Sequence, residues 1–161
     1  MKTLKHIQII LLTALLAFAC QRGPVFEEMK NLPQQNWIRF NTLWYSYTPS
    51  NHDDAYTLSL VVRYTDAVAF NKLLVMGTIH SPSGEMRFRE YSLPLRDADG
   101  MADGSAVSAT GVQPKVYEKR LVLREELVFT DPGEYRFEIE NLMDKYDSPG
   151  IIAVGVVVEK E

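Results

Sequence analysis

A single cysteine, three histidines and a deficit of positive charge set the first limits on this 161-residue chain. One cysteine cannot form an intramolecular disulfide, and it leaves no Cys/His set at zinc-ligand spacing. No apolar run reaches the ~20 residues that a membrane-spanning helix needs. Lys and Arg number 17 against 21 Asp and Glu, and no basic patch interleaved with aromatics occurs. Such a surface repels phosphate backbones, so nucleic acid is excluded as a partner. The chain also lacks G-x-S-x-G, H-E-x-x-H and any glycine-rich phosphate loop. Serines such as Ser105 have no nearby histidine to act as base. Glu125 and Glu126 are neighbours that alternate across a strand, unlike a facing glycosidase pair. No catalytic residue, cofactor or metal is assigned.

What is present begins at the N-terminus. Lys2 and Lys5 precede the apolar run Ile9 to Phe18, and small Ala19 precedes Cys20. That order describes a secretory leader over residues 1–19. Leu16-Ala17-Phe18-Ala19-Cys20 resembles a bacterial lipobox, with leucine one place earlier than usual, so Cys20 is the expected lipidation site. Several acyl chains on one cysteine anchor stably where a single chain is marginal. Residues 20–35 read as the lipidated cysteine and its tether. Two of the 17 basic residues leave with the leader, so 15 remain against 21 acids, a net charge of −6. No acidic cluster directly follows Cys20. This points to an anchor in the outer membrane facing the periplasm.

Residues 36–161 read as one all-β domain of average composition, 46% hydrophobic and 24% charged. Trp37 to Tyr47 reads as an aromatic strand. From Ala55 to Thr65, Tyr56, Leu58, Leu60, Val62 and Tyr64 share one face. Leu73 to Ile79 is continuously apolar, as a strand buried on both faces would be. Pro82-Ser83-Gly84 turns the chain into a hairpin partner, Glu85 to Leu95. Val116 to Phe129 places Leu121, Leu123, Leu127 and Phe129 together. After the Asp131-Pro132-Gly133 turn, Tyr135, Phe137 and Ile139 alternate with charges. Ile151 to Val158 is apolar at both parities, like a central strand. Seven or so short strands predict an antiparallel β-sandwich, jelly-roll or Ig-like, with a closed barrel as the lesser alternative.

Three groups are candidate sites. The loop carrying Asp97, Asp99 and Asp103, within a long segment from Asp97 to Val112, suits a partner contact or a weak calcium site. Its spacing is not that of an EF-hand. His52 lies beside Asp53 and Asp54 in a polar turn, while His80 ends an apolar strand. Trp37, Phe40, Trp44 and Tyr45 could stack a sugar, although such residues more often form core and rim.

Motifs from the lipobox to the C-terminus resemble, in order and spacing, those of the GldH family of gliding-motility lipoproteins. Tyr56-Thr57-Leu58-Ser59-Leu60-Val61-Val62-Arg63 is similar to its Y-x-L-x-hydrophobic-x-hydrophobic-R segment. Phe129 to Ile139 resembles F-x-x-x-G-x-Y-x-F, and Pro149 to Lys160 its closing G-I-x-x-V-G strand. Asn71 to Val75, Pro82 to Gly84 and the Asp97–Gly104 loop match in order. The chain departs from the family at Asn141 to Asp144, where an amide and an arginine are usual, and at Met101 and Ala102, where bulkier residues stand. The resemblance implies a non-enzymatic, lipid-anchored accessory of gliding motility or its linked secretion machinery in Bacteroidetes, with envelope proteins as partners. The alternative is a periplasmic glycan- or calcium-binding lipoprotein.

Overall fold

The computed structural model describes residues 23–161. Cys20 and the leader lie outside the described residues. The chain forms β1 (Phe26–Asn31), a 3-10 turn (Pro33–Gln35), β2 (Asn36–Ile38), β3 (Leu43–Tyr47), β4 (Ala55–Thr65), β5 (Lys72–His80), β6 (Met86–Pro94), β7 (Ser105–Ala106), β8 (Val116–Val128), β9 (Tyr135–Asn141), β10 (Asp147–Pro149) and β11 (Ile151–Lys160). No α-helix occurs among the described residues, and so none that could cross a membrane.

Two antiparallel sheets pack face to face as the expected β-sandwich. One has the order β1-β11-β4-β8-β7 and the other β3-β9-β5-β6, with β2 and β10 as a small separate ribbon. Period-two patterning dictates the packing. In β4, Tyr56, Leu58, Leu60, Val62 and Tyr64 are buried, and in β9 Tyr135, Phe137 and Ile139 meet them. Two groups cross the interface directly. The Tyr45 hydroxyl donates to the Val154 carbonyl at 2.8 Å, and the Tyr91 hydroxyl to the Leu123 carbonyl at 2.7 Å. Burial, with Glu28 nearby, raises the Tyr45 hydroxyl far above its ordinary pKa, so it stays protonated as a donor.

Phe129 is the centre of the core. Its ring lies 4.8 Å from Tyr135, 5.2 Å from Tyr56, 5.4 Å from Tyr47 and 6.4 Å from Phe137, so it touches both sheets. In β8 the register shifts twice against β4, between Tyr56 and Leu58 and again between Leu58 and Ser59. Glu126 takes a positive φ of 51° there. Two bulges restore the parity, which keeps Leu123 and Leu127 on the inner face.

Three expectations need correction. The tether does not extend to residue 35: β1 pairs with β11 from Phe26 opposite Val158 to Asn31 opposite Ala153. Its pattern is weak because it is an edge strand carrying Glu27, Glu28 and Lys30, the charges that protect an open edge. A side chain at Gly155 would meet the Glu28 carbonyl oxygen at 2.7 Å and the Met29 side chain, so only glycine permits this approach. Trp37 to Tyr47 is two strands, not one, because the chain turns at Asn41, whose N–H donates to the Ile38 carbonyl. Strand β5 is fully buried on its inner face, where Leu73 and Val75 enter the core, and only partly on the outer one, where Thr78 is buried but Leu74 and Met76 lie half-buried.

Phe129→Ala removes the ring that bridges the sheets and is expected to cost about 3–5 kcal/mol. Urea unfolding followed by far-ultraviolet circular dichroism measures this.

Candidate functional site

The outer face of the four-stranded sheet carries the most distinctive surface. Register places Trp44, Glu138, Thr78 and Phe88 in one row across β3, β9, β5 and β6. The adjacent row is Ser46, Arg136, His80 and Met86. Directly opposed residues in antiparallel strands share a face, so these side chains form one patch. His80 Nε2 donates to Glu138 Oε2 at 2.7 Å, and both side chains are largely shielded. The Trp44 ring packs 5.2 Å from the His80 ring, and the Arg136 guanidinium lies 5.5 Å from the Trp44 ring centre. Around this ordered polar centre Trp44 is 40% exposed, Met86 58% and Phe88 71%. Large apolar groups clustered on one face and rimmed by charges mark an interaction surface.

The aromatic set read from the sequence divides. Trp37 and Tyr45 are fully buried, with Trp37 Nε1 donating to the Asn41 carbonyl at 2.8 Å. Phe40 is exposed and packs against Tyr146 with ring centres 6.1 Å apart and tilted by 56°, in a pairing separate from Trp44. Only Trp44 belongs to the patch. The signal for its partners was absent from any local window: Glu138 and Thr78 meet Trp44 only through sheet register.

The Asp97–Gly104 loop is anchored. Asp97 Oδ1 accepts the backbone N–H of Asp99 at 3.0 Å and of Met101 at 2.8 Å. Arg96 donates to the Gly100, Asp66 and Val68 carbonyls, and Ala102 bridges back to Arg96. Asp103 pairs with Lys119 at 2.6 Å. Burial, assisted by the Asp103 charge, raises the neighbouring Tyr64 hydroxyl to about 12, and that hydroxyl donates to the Leu95 carbonyl. The three acids therefore do not converge: the Asp97 carboxylate holds its own turn, that of Asp103 pairs with Lys119, and Asp99 is left on the surface. Among the described residues no three His, Cys, Asp or Glu side chains cluster as a metal site.

His52 Nδ1 donates to the Phe129 carbonyl at 2.8 Å, and Asp54 pairs with Lys160 at 2.6 Å, so their turn is structural. The Glu126 N–H, in the β8 bulge, donates to Glu161 Oε1. A cleft of about 630 Å³ opens between Phe70, Leu74, Met143 and Tyr146. Its wall is set by buried Asn141, whose Nδ2 donates to the Trp37 carbonyl and Ser148 Oγ, and whose Oδ1 accepts the Met143 N–H. The amide at this position is thus a scaffold for the 142–147 turn.

The family model for the GldH lipoprotein matches residues 24–158. This chain belongs to the GldH lipoprotein family. The gliding motility lipoprotein GldH of Flavobacterium johnsoniae is 24% identical over 152 residues, covering 94% of this chain and 90% of that protein. Among solved structures, a family GH115 4-O-methyl-α-glucuronidase aligns with a TM-score of 0.46 at 12% identity. It covers 88% of this chain, which spans only 18% of that enzyme. A CBM28 carbohydrate-binding module specific for non-crystalline cellulose aligns at 0.40 and 9% identity, over 84% of this chain and 73% of the module. Likenesses this low say nothing about a ligand of the GldH-family chain.

Asn141→Ala strands two buried polar groups and the part-buried Met143 N–H, and is expected to cost about 2–4 kcal/mol. Replacing Asp97, Asp99 and Asp103 together by Asn keeps the Asp97 Oδ1 acceptor and removes one surface ion pair, so stability should move by less than about 1 kcal/mol. Urea midpoints of the two variants test both values.

Proposed function

We propose that this chain is a lipid-anchored accessory of the gliding apparatus and its linked secretion machinery, held through Cys20 in the outer membrane and facing the periplasm. On this reading it has no catalytic role and presents the Trp44 patch to an envelope protein. The observation that carries the proposal is the family match, which runs through every strand of both sheets. Physical chemistry adds the rest. Several acyl chains at Cys20 confine the domain to a membrane surface, and a rigid sandwich holds an aromatic patch ready for contact. The Asp97–Gly104 loop, through exposed Asp99, is a secondary contact for a basic partner surface.

The patch suits protein contact better than sugar stacking. Arg136 already lies over the Trp44 ring, and a sugar ring stacking there would have to displace it. A protein side chain can pack against the Phe88 and Met86 side without disturbing that pair.

Cys20→Ser should abolish incorporation of labelled fatty acid and release the protein from membranes. Continued acylation or membrane partitioning of that variant would refute the anchor. Trp44→Ala combined with Phe88→Ser should leave the unfolding free energy from urea titration within about 1 kcal/mol of wild type, because both side chains are exposed, yet slow gliding and reduce co-purification of envelope partners. Normal gliding with normal partner recovery would refute the patch.

A further inference from the structure

Strand β6 closes the four-stranded sheet on one side, and among the described residues nothing pairs with its outer edge. It faces the second half of β8 in the other sheet. There β8 is also unpaired on its far side, since β7 reaches only Tyr117 and Glu118. Tyr91 ties the two edges at one point through its hydrogen bond to Leu123. Beyond that tie the sheets part, and a cavity of about 190 Å³ runs inward. Leu58, Leu123, Leu127 and Phe137 form its apolar floor. Gly77, opposite Arg89 in the β5–β6 ladder, keeps it open: a Cβ there would stand 3.2 Å from Tyr91 Cε2 and 3.6 Å from Leu123 Cδ1. A cavity of about 150 Å³ accepts a benzene ring, so this one has room for a leucine or phenylalanine side chain.

Three arginines surround the mouth: Arg87 and Arg89 from β6 and Arg124 from β8. Arg87 is held by Glu85 through Nε at 2.8 Å and Nη2 at 3.1 Å. Neither Arg89 nor Arg124 has a carboxylate at ion-pair distance among the described residues. Both line the cavity together with Tyr91, and their charges offset part of the rise that burial imposes on the Tyr91 hydroxyl pKa. Inward charges on an edge strand guard against edge-to-edge association, and Arg87 with Glu85 fits that role. A guard does not require a second sheet to bring its own cation to the same opening. Like charges facing one another are relieved when an anion lies between them.

We propose that this slot is a docking groove for an extended acidic peptide. The peptide pairs along the free edge of β6, inserts one apolar side chain between the sheets, and sets its flanking carboxylates against Arg89 and Arg124. Side chains two apart on a strand share a face, so the recognised pattern is an acid, any residue, a large apolar residue, any residue and an acid. The groove opens toward the core-facing side of β6, while Trp44 lies on the outer face; Thr78 and Phe88 border both, so Trp44→Ala, which touches only the patch, is the variant that separates binding here from the function proposed above.

The test is fluorescence anisotropy with the full chain in detergent micelles and a labelled Thr-Glu-Thr-Leu-Thr-Glu-Thr peptide. The expected result is saturable binding that weakens with added salt, is lost when lysine replaces both glutamates, and falls about ten-fold or more in R89A/R124A. Trp44→Ala should leave it unchanged. N-methylation of the peptide amides that face β6 should also abolish it, since strand pairing needs those donors. Should the double variant misfold by circular dichroism, R124Q alone carries the same expectation at a smaller fold-change. Absence of saturable binding to the wild-type chain overturns the proposal. So does binding that the folded arginine variants, the lysine peptide or the N-methylated peptide leaves intact.

Discussion

Everything in this molecule depends on Phe129 lying between the two sheets. It stands where the chain leaves β8 in one sheet to enter β9 in the other, and its ring meets Tyr56 on one side and Tyr47, Tyr135 and Phe137 on the other. The crossing is then fixed from all directions. His52 donates to the Phe129 carbonyl, and the Asp131 N–H donates to the Tyr135 hydroxyl. Gly133 supplies the positive φ of 125° that the turn requires, against the Pro82 ring. With the crossing held, the alternating faces of β4 and β9 have one place to go. The burial of their apolar rows follows from that constraint together with the hydrophobic effect.

Strong alternation made most of the sandwich legible from residues alone. Tyr56 to Tyr64 and Tyr135 to Ile139 enter the core at the expected parity, and Ile151 to Val158 is buried at nearly every position because it lies between β1 and β4. The elements that escaped notice share a physical cause. Edge strands bury little, so β1 shows only Phe26 and Met29 among charges, and its pairing comes from backbone and from the space over Gly155. The outer face of β5 holds Leu74 and Met76 half-buried, which a local window reads as a second buried face. For the candidate site, Trp44 was visible as a residue, but its environment was not. His80, Glu138 and Arg136 reach it through pairings between residues dozens of positions apart, and register is a property of the whole sheet. The acidic loop illustrates the converse. Its composition suggests a shared ligand, whereas the backbone has already taken the carboxylate of Asp97, and Lys119 that of Asp103.

Membership of the GldH family gives these surfaces a setting. The sandwich divides its sides: one face of each sheet builds the core, and the outer face of β3-β9-β5-β6 keeps a tryptophan, a phenylalanine and a methionine exposed around a hydrogen-bonded His80–Glu138 pair. Ordering the polar centre in the free protein lowers the entropy lost on association, so a modest patch can bind specifically. The fold begins at Val25, whose N–H bonds to the Val158 carbonyl.

The central claim is that the Trp44 face is where this lipoprotein meets its envelope partner. Photo-cross-linking in living, gliding cells tests it most directly, with a benzophenone amino acid placed at position 44 in one strain and at exposed position 27 on the opposite sheet in another. The account predicts a discrete covalent adduct from position 44 and none from position 27. Adducts from position 27 alone, or no adduct at position 44 in cells that still glide, would contradict it.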